Sequence, residues 1–450
     1  MAADRTVAAP RRPAPPTGLS SRLTYAAVQV LSHLALPVLL LALAWRARKE
    51  PAHLAHLSHR FGLGPVGPGG AVWVFAASLG ETRAVSPLVR HLLDDGQHVL
   101  LTSQSPAGLA EGHRLFGTDP RVTLRHVPAD LFWAVRLFLS RARPRALLVV
   151  EIELWPAMLR ESARAGLPCI MVNGNLLDQS MRHRTGLRGW LLGHYRLFTH
   201  IFTRTPAYRD RYLALGVDPA RVSVVGELKY DQWIDPGQVA AGQRLRAMWP
   251  AEAPVLLIAS SVKDEEPALL ELVRGLLARP GLHGLRVVWA PRSPQRFGPV
   301  AAALTAAGLR TTRRSALGDL ATAVLPGDTR VLLADSTGEM NVWYPMADLV
   351  FVGASLTGDG GHNIMEPMAL GRPVVMGPSI YGIAFAAEPA ARMGAFETLP
   401  DAAALEIRIA ALLTDRAALD RMSHGAARFS ASQTGAAART LAALRPALRP

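Results

Sequence analysis

The stretch DLVFVGASLTGDGGHNIMEPMALGRPVVMGP, residues 348–378, decides the fold class. An apolar segment, DLVFVGAS, leads through a glycine-lined turn and a short helical stretch to a second apolar segment, RPVVMGP. Short apolar runs joined by a helix are typical of parallel strands that are buried on both faces. In such sheets, ligands lie at the carboxyl ends of the strands, where loops meet helix starts. The stretch therefore predicts an α/β domain with a binding loop at its glycines.

The same alternation of apolar strand and helical stretch occurs in two blocks. The first block reads AVWVFAAS, HVLLTSQS, RVTLRHVP, ALLVVEIE, PCIMVNG, HIFTRT and RVSVVGE, and the second reads PVLLIASS, LRVVWAPR, VLLADS, DLVFVGAS and RPVVMGP. The segment between them, KYDQWIDPGQVAAGQRLRAMWPAEA, lacks a strand pattern and contains Pro and Gly, so it is interpreted as a connector. A chain of 450 residues is long enough for two cores. We therefore predict two doubly wound, Rossmann-like domains that face each other across a cleft.

Charge and composition narrow the class of partner. Half of the residues are hydrophobic and the formal net charge is +14, so the chain is globular and favours anionic partners. The arginines are dispersed and no aromatic-basic motif of known nucleic-acid readers is present, so we predict no nucleic-acid binding. We therefore interpret the positive charge as favouring binding to phosphorylated lipid and to the membrane surface. The single cysteine, Cys169, excludes an internal disulfide and is expected to be buried.

The N-terminal region predicts a membrane contact. Residues 1–22 are interpreted as a disordered basic tail and residues 23–49 as a membrane-associated or transmembrane helix. Within that helix, TYAAVQVLSHLALPVLLLALAW (24–45) has 22 residues without a formal charge, which is long enough to span a bilayer. Gln29, His33 and Pro37 interrupt it, and arginines on both sides give no orientation. Spanning, lying flat as an interfacial anchor, and burial in the first domain all stay open.

Polar motifs follow the strands of both blocks: SLGE (78–81), EIELWP (151–156), SSVKDEE (260–266), PRSPQRF (291–297), DSTGEM (335–340) and GDGGHNIMEP (358–367). In order and spacing, these motifs, with ELKYD and the stretch around residue 348, resemble the bacterial 3-deoxy-D-manno-octulosonic acid (Kdo) transferases over about residues 23–378. The resemblance implies GT-B architecture and transfer of Kdo from CMP-Kdo to lipid A precursors. It also implies an inner-membrane location with the catalytic domains facing the cytoplasm.

Some positions depart from the family pattern. The family's Asn-Ala-Arg-Leu-Ser is here residues 173–177, NGNLL, so an arginine expected near the acceptor or sugar is absent. Val262 and Ser293 each stand where the family has a histidine. These changes bear on the sugar and the acceptor more than on the reaction class.

Two charged residues are the main chemical candidates. Glu81 follows a strand and two small residues at a helix start, where a carboxylate either enters the cleft or only complements the helix dipole. The resemblance implies that it is the general base that takes the proton of the acceptor hydroxyl. Arg292 stands at the end of the strand RVVWAP. There its guanidinium is expected either to bind the donor phosphate or to be an ordinary surface group.

The nucleotide segment is expected in the second domain. Gly360 and Gly361 are expected to let the backbone approach a ligand closely, and a helix is predicted to begin near Asn363. The resemblance implies that Asn363 and Glu366 hold the CMP group, while His362 is either a ligand contact or a helix cap. Further predicted substrate-binding residues are Ser260 and the loop residues Gly338, Glu339 and Met340, whose backbone is expected to read the cytosine edge.

In the first domain, Glu151 and Glu153 alternate at a strand end, so one is expected to contact the sugar or acceptor and the other to cap the helix at Trp155–Pro156. Lys229 is expected to contact the donor carboxylate or to be a solvated hinge lysine. We predict no metal site and no cofactor, because no Asp-x-Asp pair or HExxH motif is present.

The domains are predicted as 50–230, which binds the acceptor, and 231–450, which binds the CMP-sugar. Three hypotheses follow: a metal-independent, inverting Kdo transferase; a CMP-dependent transferase with another ulosonic acid or acceptor; and a lapsed transferase that binds membrane lipid. The sequence does not determine the oligomeric state.

Overall fold

The computed structural model describes residues 18–48, 50–177, 181 and 185–448. The chain forms two compact units: the first holds the residues up to Asp231 together with those from Thr434 on, and the second holds Gln232–Gln433. The domain predicted over 231–450 therefore ends earlier than expected. Its last helix belongs to the first unit, where Asp231 accepts hydrogen bonds from the backbone N–H groups of Gly435 and Ala437.

The first unit contains a parallel sheet of seven strands in the order β3-β2-β1-β4-β5-β6-β7. The strands are β1 (Val72–Phe75), β2 (Val99–Ser103), β3 (Val122–His126), β4 (Ala146–Val150), β5 (Cys169–Gly174), β6 (His200–Thr203) and β7 (Val222–Val224). The helices are α1 (Leu19–Ala47), α2 (Leu79–Asp94), α3 (Pro106–Phe116), α4 (Phe132–Ala142), α5 (Pro156–Arg164), α6 (Gly186–Leu192) and α7 (Pro206–Ala214). All seven strands predicted in the first block are present.

The second unit has its own parallel sheet, in the order β10-β11-β9-β8-β12-β13-β14. The strands are β8 (Val255–Ser261), β9 (Arg286–Pro291), β10 (Thr311–Arg313), β11 (Val331–Leu333), β12 (Leu349–Val352), β13 (Val374–Met376) and β14 (Phe396–Thr398). The helices are α8 (Pro236–Arg246), α9 (Glu266–Ala278), α10 (Pro294–Ala306), α11 (Met340–Trp343), α12 (Met365–Ala369), α13 (Ala384–Arg392), α14 (Ala402–Thr414) and α15 (Arg416–Gln433), and α16 (Ala436–Leu448) returns to the first unit. Helix α8 lies in the predicted connector.

Burial on both faces explains why the strands are continuously apolar. Trp73 and Phe75 of β1 belong to one buried cluster, whereas Val72 and Val74 belong to another, because helices cover both faces of the sheet. Cys169 is 1% exposed, as predicted. The strand order reverses between β1 and β4 in the first sheet and between β8 and β12 in the second sheet. These reversals are where doubly wound sheets place their ligands.

Helix α1 begins at Leu19 and ends at Ala47, earlier at both ends than the predicted 23–49. Its first residues were assigned to the tail predicted over 1–22, of which residues 1–17 lie outside the described residues. Leu19 to Arg22 contain no Pro or Gly, so nothing stops the helix from extending back to this point. Within the described residues, α1 is the one helix long and apolar enough to cross a membrane.

Candidate active site

In the first unit, the turn after β1 carries Glu81. Ser78 is the N-cap of α2, and its hydroxyl oxygen accepts a hydrogen bond from the Glu81 N–H at 3.2 Å. The Glu81 carboxylate turns back over the helix start and accepts hydrogen bonds from the Ala77 N–H (2.8 Å) and the Ser78 hydroxyl (3.0 Å). This is a form of the capping box. Glu81 therefore lies at the carboxyl end of β1, as predicted, and its carboxylate also helps to fix the helix start.

The protonation of Glu81 is set by its surroundings. Burial above all, together with the negative charges of Glu153 and Glu151, raises the pKa of its carboxyl to about 7, against the opposing hydrogen bonds from Ala77 and Ser78. Because β1 and β4 are neighbours, the three glutamates share one edge of the sheet. A carboxyl group with this pKa is able to take up a proton near neutral pH.

Glu151 is held by basic residues of its own unit. It follows β4 with φ at 65°, a left-handed conformation that is strained for a residue with a Cβ. Arg204, which follows β6, donates a hydrogen bond to Glu151 Oε1 at 2.6 Å and pairs with Glu227 at 2.7 Å. Lys229 Nζ lies 3.3 Å from the same oxygen of Glu151. Contact of Lys229 with a donor carboxylate stays a prediction.

Glu153 does not behave as strand alternation predicts, because β4 ends at Val150 and both glutamates lie beyond it. Glu153 accepts a hydrogen bond from the indole N–H of Trp155 at 2.7 Å. The start of α5 is instead capped by Asp130, whose carboxylate accepts hydrogen bonds from the N–H groups of Ala157 (3.1 Å) and Met158 (2.8 Å). The prediction that one of the two glutamates caps this helix is wrong.

In the second unit, the ends of β8 and β12 are joined by Glu265, a residue whose role the sequence did not indicate. Ser260 and Ala354 both have left-handed backbones, with φ at 59° and 60°. The Glu265 carboxylate, 1% exposed, accepts hydrogen bonds from the N–H groups of Val262 (3.0 Å) and Ala354 (2.8 Å). A Cβ at Gly353 would lie 2.4 Å from Glu265 Oε1. Glu265 therefore fixes the turn that follows Ser260 and the end of β8, although only the fold reveals its partner 89 positions away.

Gly360 and Gly361 allow a tightly packed turn within the second unit. Gly360 and Gly361 have φ values of 86° and 76°. A Cβ would lie 2.7 Å from the ring of Tyr381 at the first position and 2.5 Å from Met376 Cε at the second. A residue with a Cβ at either position would also be strained by the positive φ. Close approach of a ligand to this backbone stays a prediction.

The helix after the glycines begins at Met365, close to Asn363 as predicted. It is five residues long, so its dipole is small. Asn363 Oδ1 accepts a hydrogen bond from the Met365 N–H at 2.9 Å, and Asn363 Nδ2 donates to Glu366 Oε1 at 3.2 Å. Asn363, and not His362, caps this helix.

His362 is half-buried, and the charge of Arg292 acts on it. Burial and, to a smaller extent, the charge of Arg292 lower the pKa of His362 to about 4, while Asp359 opposes the shift, so the imidazole is neutral at pH 7. Its Nε2 atom is buried without a hydrogen-bond partner. Leaving such an atom unsatisfied costs about 1–3 kcal/mol, which a ligand would recover. Glu366 interacts by hydrogen bond with Tyr344, and the charge of Arg292 acts on that tyrosine as well.

Arg292 is exposed and follows β9, where its N–H donates to the carbonyl of Ser261 at 2.9 Å. Within the described part of the chain, no carboxylate forms a salt bridge with its guanidinium. The group is therefore available to an anion.

The loop before α11 is fixed by its side chains. Both oxygens of Glu339 accept hydrogen bonds from Arg314 at 2.8 Å, and the Ser336 hydroxyl donates to the same carboxylate. Gly338 has φ at 79° and its carbonyl accepts a hydrogen bond from Gln238 at 3.0 Å. The Glu339 side chain is thus engaged within the protein. Recognition of a base by the backbone of Gly338, Glu339 and Met340 stays a prediction.

Within the residues that the structure describes, no group of three or more His, Cys, Asp or Glu side chains is arranged as a metal site.

Comparison with known proteins decides the family. Residues 55–232 match the family model described as 3-deoxy-D-manno-octulosonic-acid transferase (kdotransferase). A 3-deoxy-D-manno-octulosonic acid transferase of Bordetella pertussis is 36% identical over 389 residues, which cover 83% of this chain and 86% of the relative. The chain belongs to the Kdo transferase family. The resemblance inferred from the motifs is thereby confirmed.

A second relative agrees with this Kdo transferase assignment, and a solved structure shows a similar fold. The 3-deoxy-D-manno-octulosonic acid transferase of Haemophilus influenzae is 29% identical, and the match covers 92% of this chain and 96% of the relative. The crystal structure of UDP-GlcNAc 2-epimerase from Neisseria meningitidis matches 84% of this chain and 100% of its own with a TM-score of 0.51 at 13% identity. That likeness concerns the fold alone and, with the two parallel sheets, confirms the predicted GT-B class.

Proposed function

We propose that this Kdo transferase transfers Kdo from CMP-Kdo to a lipid A precursor during lipopolysaccharide biosynthesis, by inversion and with Glu81 as general base. The observation that carries the proposal is the Glu81 carboxyl at the end of β1, whose pKa burial raises to about 7. Such a pKa allows the group to accept a proton and keep a useful ionised fraction at neutral pH. The Kdo transferases of Bordetella pertussis and Haemophilus influenzae support the choice of sugar.

In the proposed reaction, one bond forms, one bond breaks and Glu81 takes up the released proton. The acceptor hydroxyl attacks the anomeric carbon of Kdo, and its proton passes to a carboxylate oxygen of Glu81. A bond forms between acceptor oxygen and sugar as the bond from sugar to phosphate breaks. The electron pair of that bond leaves with the phosphate of CMP, so negative charge develops there.

The second unit would hold the donor. Arg292 is exposed and free of a carboxylate partner in the described residues, so it can stabilise the charge on the leaving phosphate. The unsatisfied Nε2 of neutral His362 offers one further hydrogen bond to the nucleotide or sugar. Asn363 and Glu366, which share a hydrogen bond of 3.2 Å, would contact the ribose hydroxyls. No metal ion is required in this scheme.

Helix α1 supports action at a membrane. Leu34, Val38 and Leu41 expose 71%, 66% and 71% of their surfaces, and the net charge of +14 favours anionic head groups. We place the enzyme at the inner membrane with its two units on the cytoplasmic side.

A second candidate keeps CMP but changes the ulosonic acid or the acceptor. It is favoured by Asn175, which stands where the family pattern has an arginine. The Asn175 amide lies 3.4 Å from Glu151 Oε2, and its Oδ1 atom is buried without a partner. A neutral amide there would suit an acceptor group that donates a hydrogen bond.

The test is CMP release from CMP-Kdo in the presence of a lipid A precursor, with the intact mass of the lipid product. A lipid heavier by one or more Kdo residues is expected. If CMP is released only with another sugar or another acceptor, the second candidate is favoured.

Arg292→Ala should weaken donor binding about 10- to 100-fold, because a charge-assisted hydrogen bond to the donor is lost. The matched control is Arg310→Ala, an exposed arginine at the opposite, amino-terminal edge of the same sheet, before β10. Equal effects of the two variants would contradict the role of Arg292.

A further inference from the structure

Helix α1 is fastened to the first unit along its first half. Gln29 makes two hydrogen bonds there: its amide N–H donates to the Asp130 carbonyl at 3.1 Å, and its Oε1 accepts from the Phe132 N–H at 3.0 Å. The indole N–H of Trp133 donates to His33 Nε2 at 2.9 Å. The polar residues that interrupt the apolar sequence are therefore the ones that hold the helix in place.

An aromatic contact strengthens this attachment. Arg160 of α5, 1% exposed, lies 4.3 Å from the centre of the Tyr25 ring. Tyr25 and Gln29 are the two buried residues of α1. Detaching this half would expose the Tyr25 ring and leave the Phe132 N–H and the Asp130 carbonyl without their partners, at a cost that rises in an apolar solvent.

The second half of α1 has no such contacts. From Ala35 to Ala47, no side chain of the helix forms a hydrogen bond to another described element. Leu39 is 55% exposed and Trp45 is 63% exposed. The residues from Ala35 to Ala47 rise about 20 Å at 1.5 Å per residue. A bilayer's hydrocarbon core is about 30 Å thick. The free half alone is therefore too short to cross it.

The chain then returns to the first unit at once. His59 and Arg60 lie shortly after the end of α1, and both are joined to the sheet of that unit: Arg125 donates to the His59 carbonyl at 2.7 Å, and Arg60 donates to the Gln104 carbonyl at 3.0 Å. Both ends of α1 are thus connected to the same folded unit.

Charged groups beside the fastened half oppose its entry into hydrocarbon. A groove of about 570 Å³ lies there, lined by apolar and polar side chains that include Arg136, Arg164 and Glu161. The two arginines both pair with Glu161, and they are 56% and 45% exposed. Arginine at the centre of a bilayer is costly, whereas arginine beside aromatic groups suits the head-group level.

We infer that α1 is a monotopic anchor: it enters one leaflet of an anionic phospholipid bilayer with its free half and does not span, so both of its ends stay on the side of the first unit. The fastened half lies at the head-group level, where its outward leucines, Leu23 (61% exposed) and Leu31 (64%), contact the acyl boundary. This inference rests on the membrane association proposed above.

Single cysteines at the two ends of α1 test the topology. Cys169, the chain's sole cysteine, is 1% exposed and gives a low background. Gly18→Cys and Arg48→Cys add thiols at exposed positions, and an added Cβ at Gly18 meets no atom within 4 Å. Full-length variants are added to preformed vesicles of phosphatidylglycerol and phosphatidylethanolamine and treated with a maleimide that cannot cross membranes.

Both end positions should react fully without detergent, whereas Leu39→Cys should react at least tenfold more slowly on vesicles than in solution. Labelling of one end only until detergent is added would show a spanning helix and overturn the inference. Failure of the protein to bind the vesicles, or equal reactivity of Leu39→Cys with and without vesicles, would overturn it as well. The readout does not use turnover, so either result leaves the proposed transferase reaction to its own test.

Discussion

Replacement of Glu81 by glutamine separates catalysis from helix capping. The carboxyl pKa is raised from 4.5 to about 7, which corresponds to about 3 kcal/mol at 1.36 kcal/mol per unit of pKa; the partial exposure of the side chain reduces this to about 2 kcal/mol. Because the folded-state pKa is the higher one, this group stabilises the fold below about pH 4.5. That contribution is lost as the pH rises through about 7.

Glu81→Gln removes the charge and keeps most of the shape. One hydrogen bond to Ala77 or Ser78 is weakened, at a cost of about 1 kcal/mol that does not depend on pH. The unfolding free energy of the variant minus that of the native protein should therefore rise by about 2 kcal/mol when the pH is raised from 5 to 8. Urea unfolding of both proteins at both pH values measures this change. Its kcat should fall about 10²- to 10⁴-fold, while binding of the CMP-sugar stays within about twofold.

Glu111→Gln is the matched control. Hydrogen bonds from Arg114 and Arg83, against the opposing effect of burial, lower the pKa of Glu111 to about 2. The stabilisation by this carboxylate is fully present above the unfolded-state pKa, so its loss should be nearly equal at pH 5 and pH 8, with kcat unchanged. If Glu81→Gln instead retains kcat within about threefold and loses the same stability at both pH values, Glu81 is a cap and not the base.

The neighbours of Glu81 should move the acidic limb of the pH profile of kcat in opposite directions. Glu153→Gln removes a repulsive charge and should shift the limb to lower pH, whereas Ser78→Ala removes a hydrogen bond and should shift it to higher pH; shifts of the same sign would refute the electrostatic argument. Glu265→Ala leaves the N–H groups of Val262 and Ala354 unsatisfied. It should lower the unfolding free energy by about 2–4 kcal/mol and raise the KM for the CMP-sugar more than kcat falls; calorimetric donor binding equal to the native value would argue against its positioning role.

Strands were predicted correctly from the sequence where both of their faces are buried. The apolar runs that form β1 to β9 and β11 to β13 are read directly from the sequence, because helices cover both faces of each sheet. The two strands that were missed, β10 (Thr311–Arg313) and β14 (Phe396–Thr398), are the two edges of the second sheet. They are three residues long and mostly polar, so no burial pattern marks them.

The candidate site residues were found from their positions after strands. The contacts that their side chains make with one another were not predicted. The sequence indicated Glu81, Glu151 and Arg292 as strand-end charges, and the structure places them there. It did not indicate that Arg204 and Lys229 both bind Glu151, since these residues follow other strands or precede other helices far along the chain. It also assigned the cap of α5 to a neighbouring glutamate, whereas the cap is Asp130, contributed by the loop before α4.

The sequence by itself determined the fold class, the family and the strand ends at which the chemistry is placed, because periodic burial and motif spacing are local properties of the chain. The tertiary structure decided the ionisation of those residues. The pKa of Glu81 depends on its burial and on Glu153 and Glu151, and that of His362 depends on burial and on Arg292. Desolvation and Coulomb interactions act through space, so no spacing along the chain encodes them.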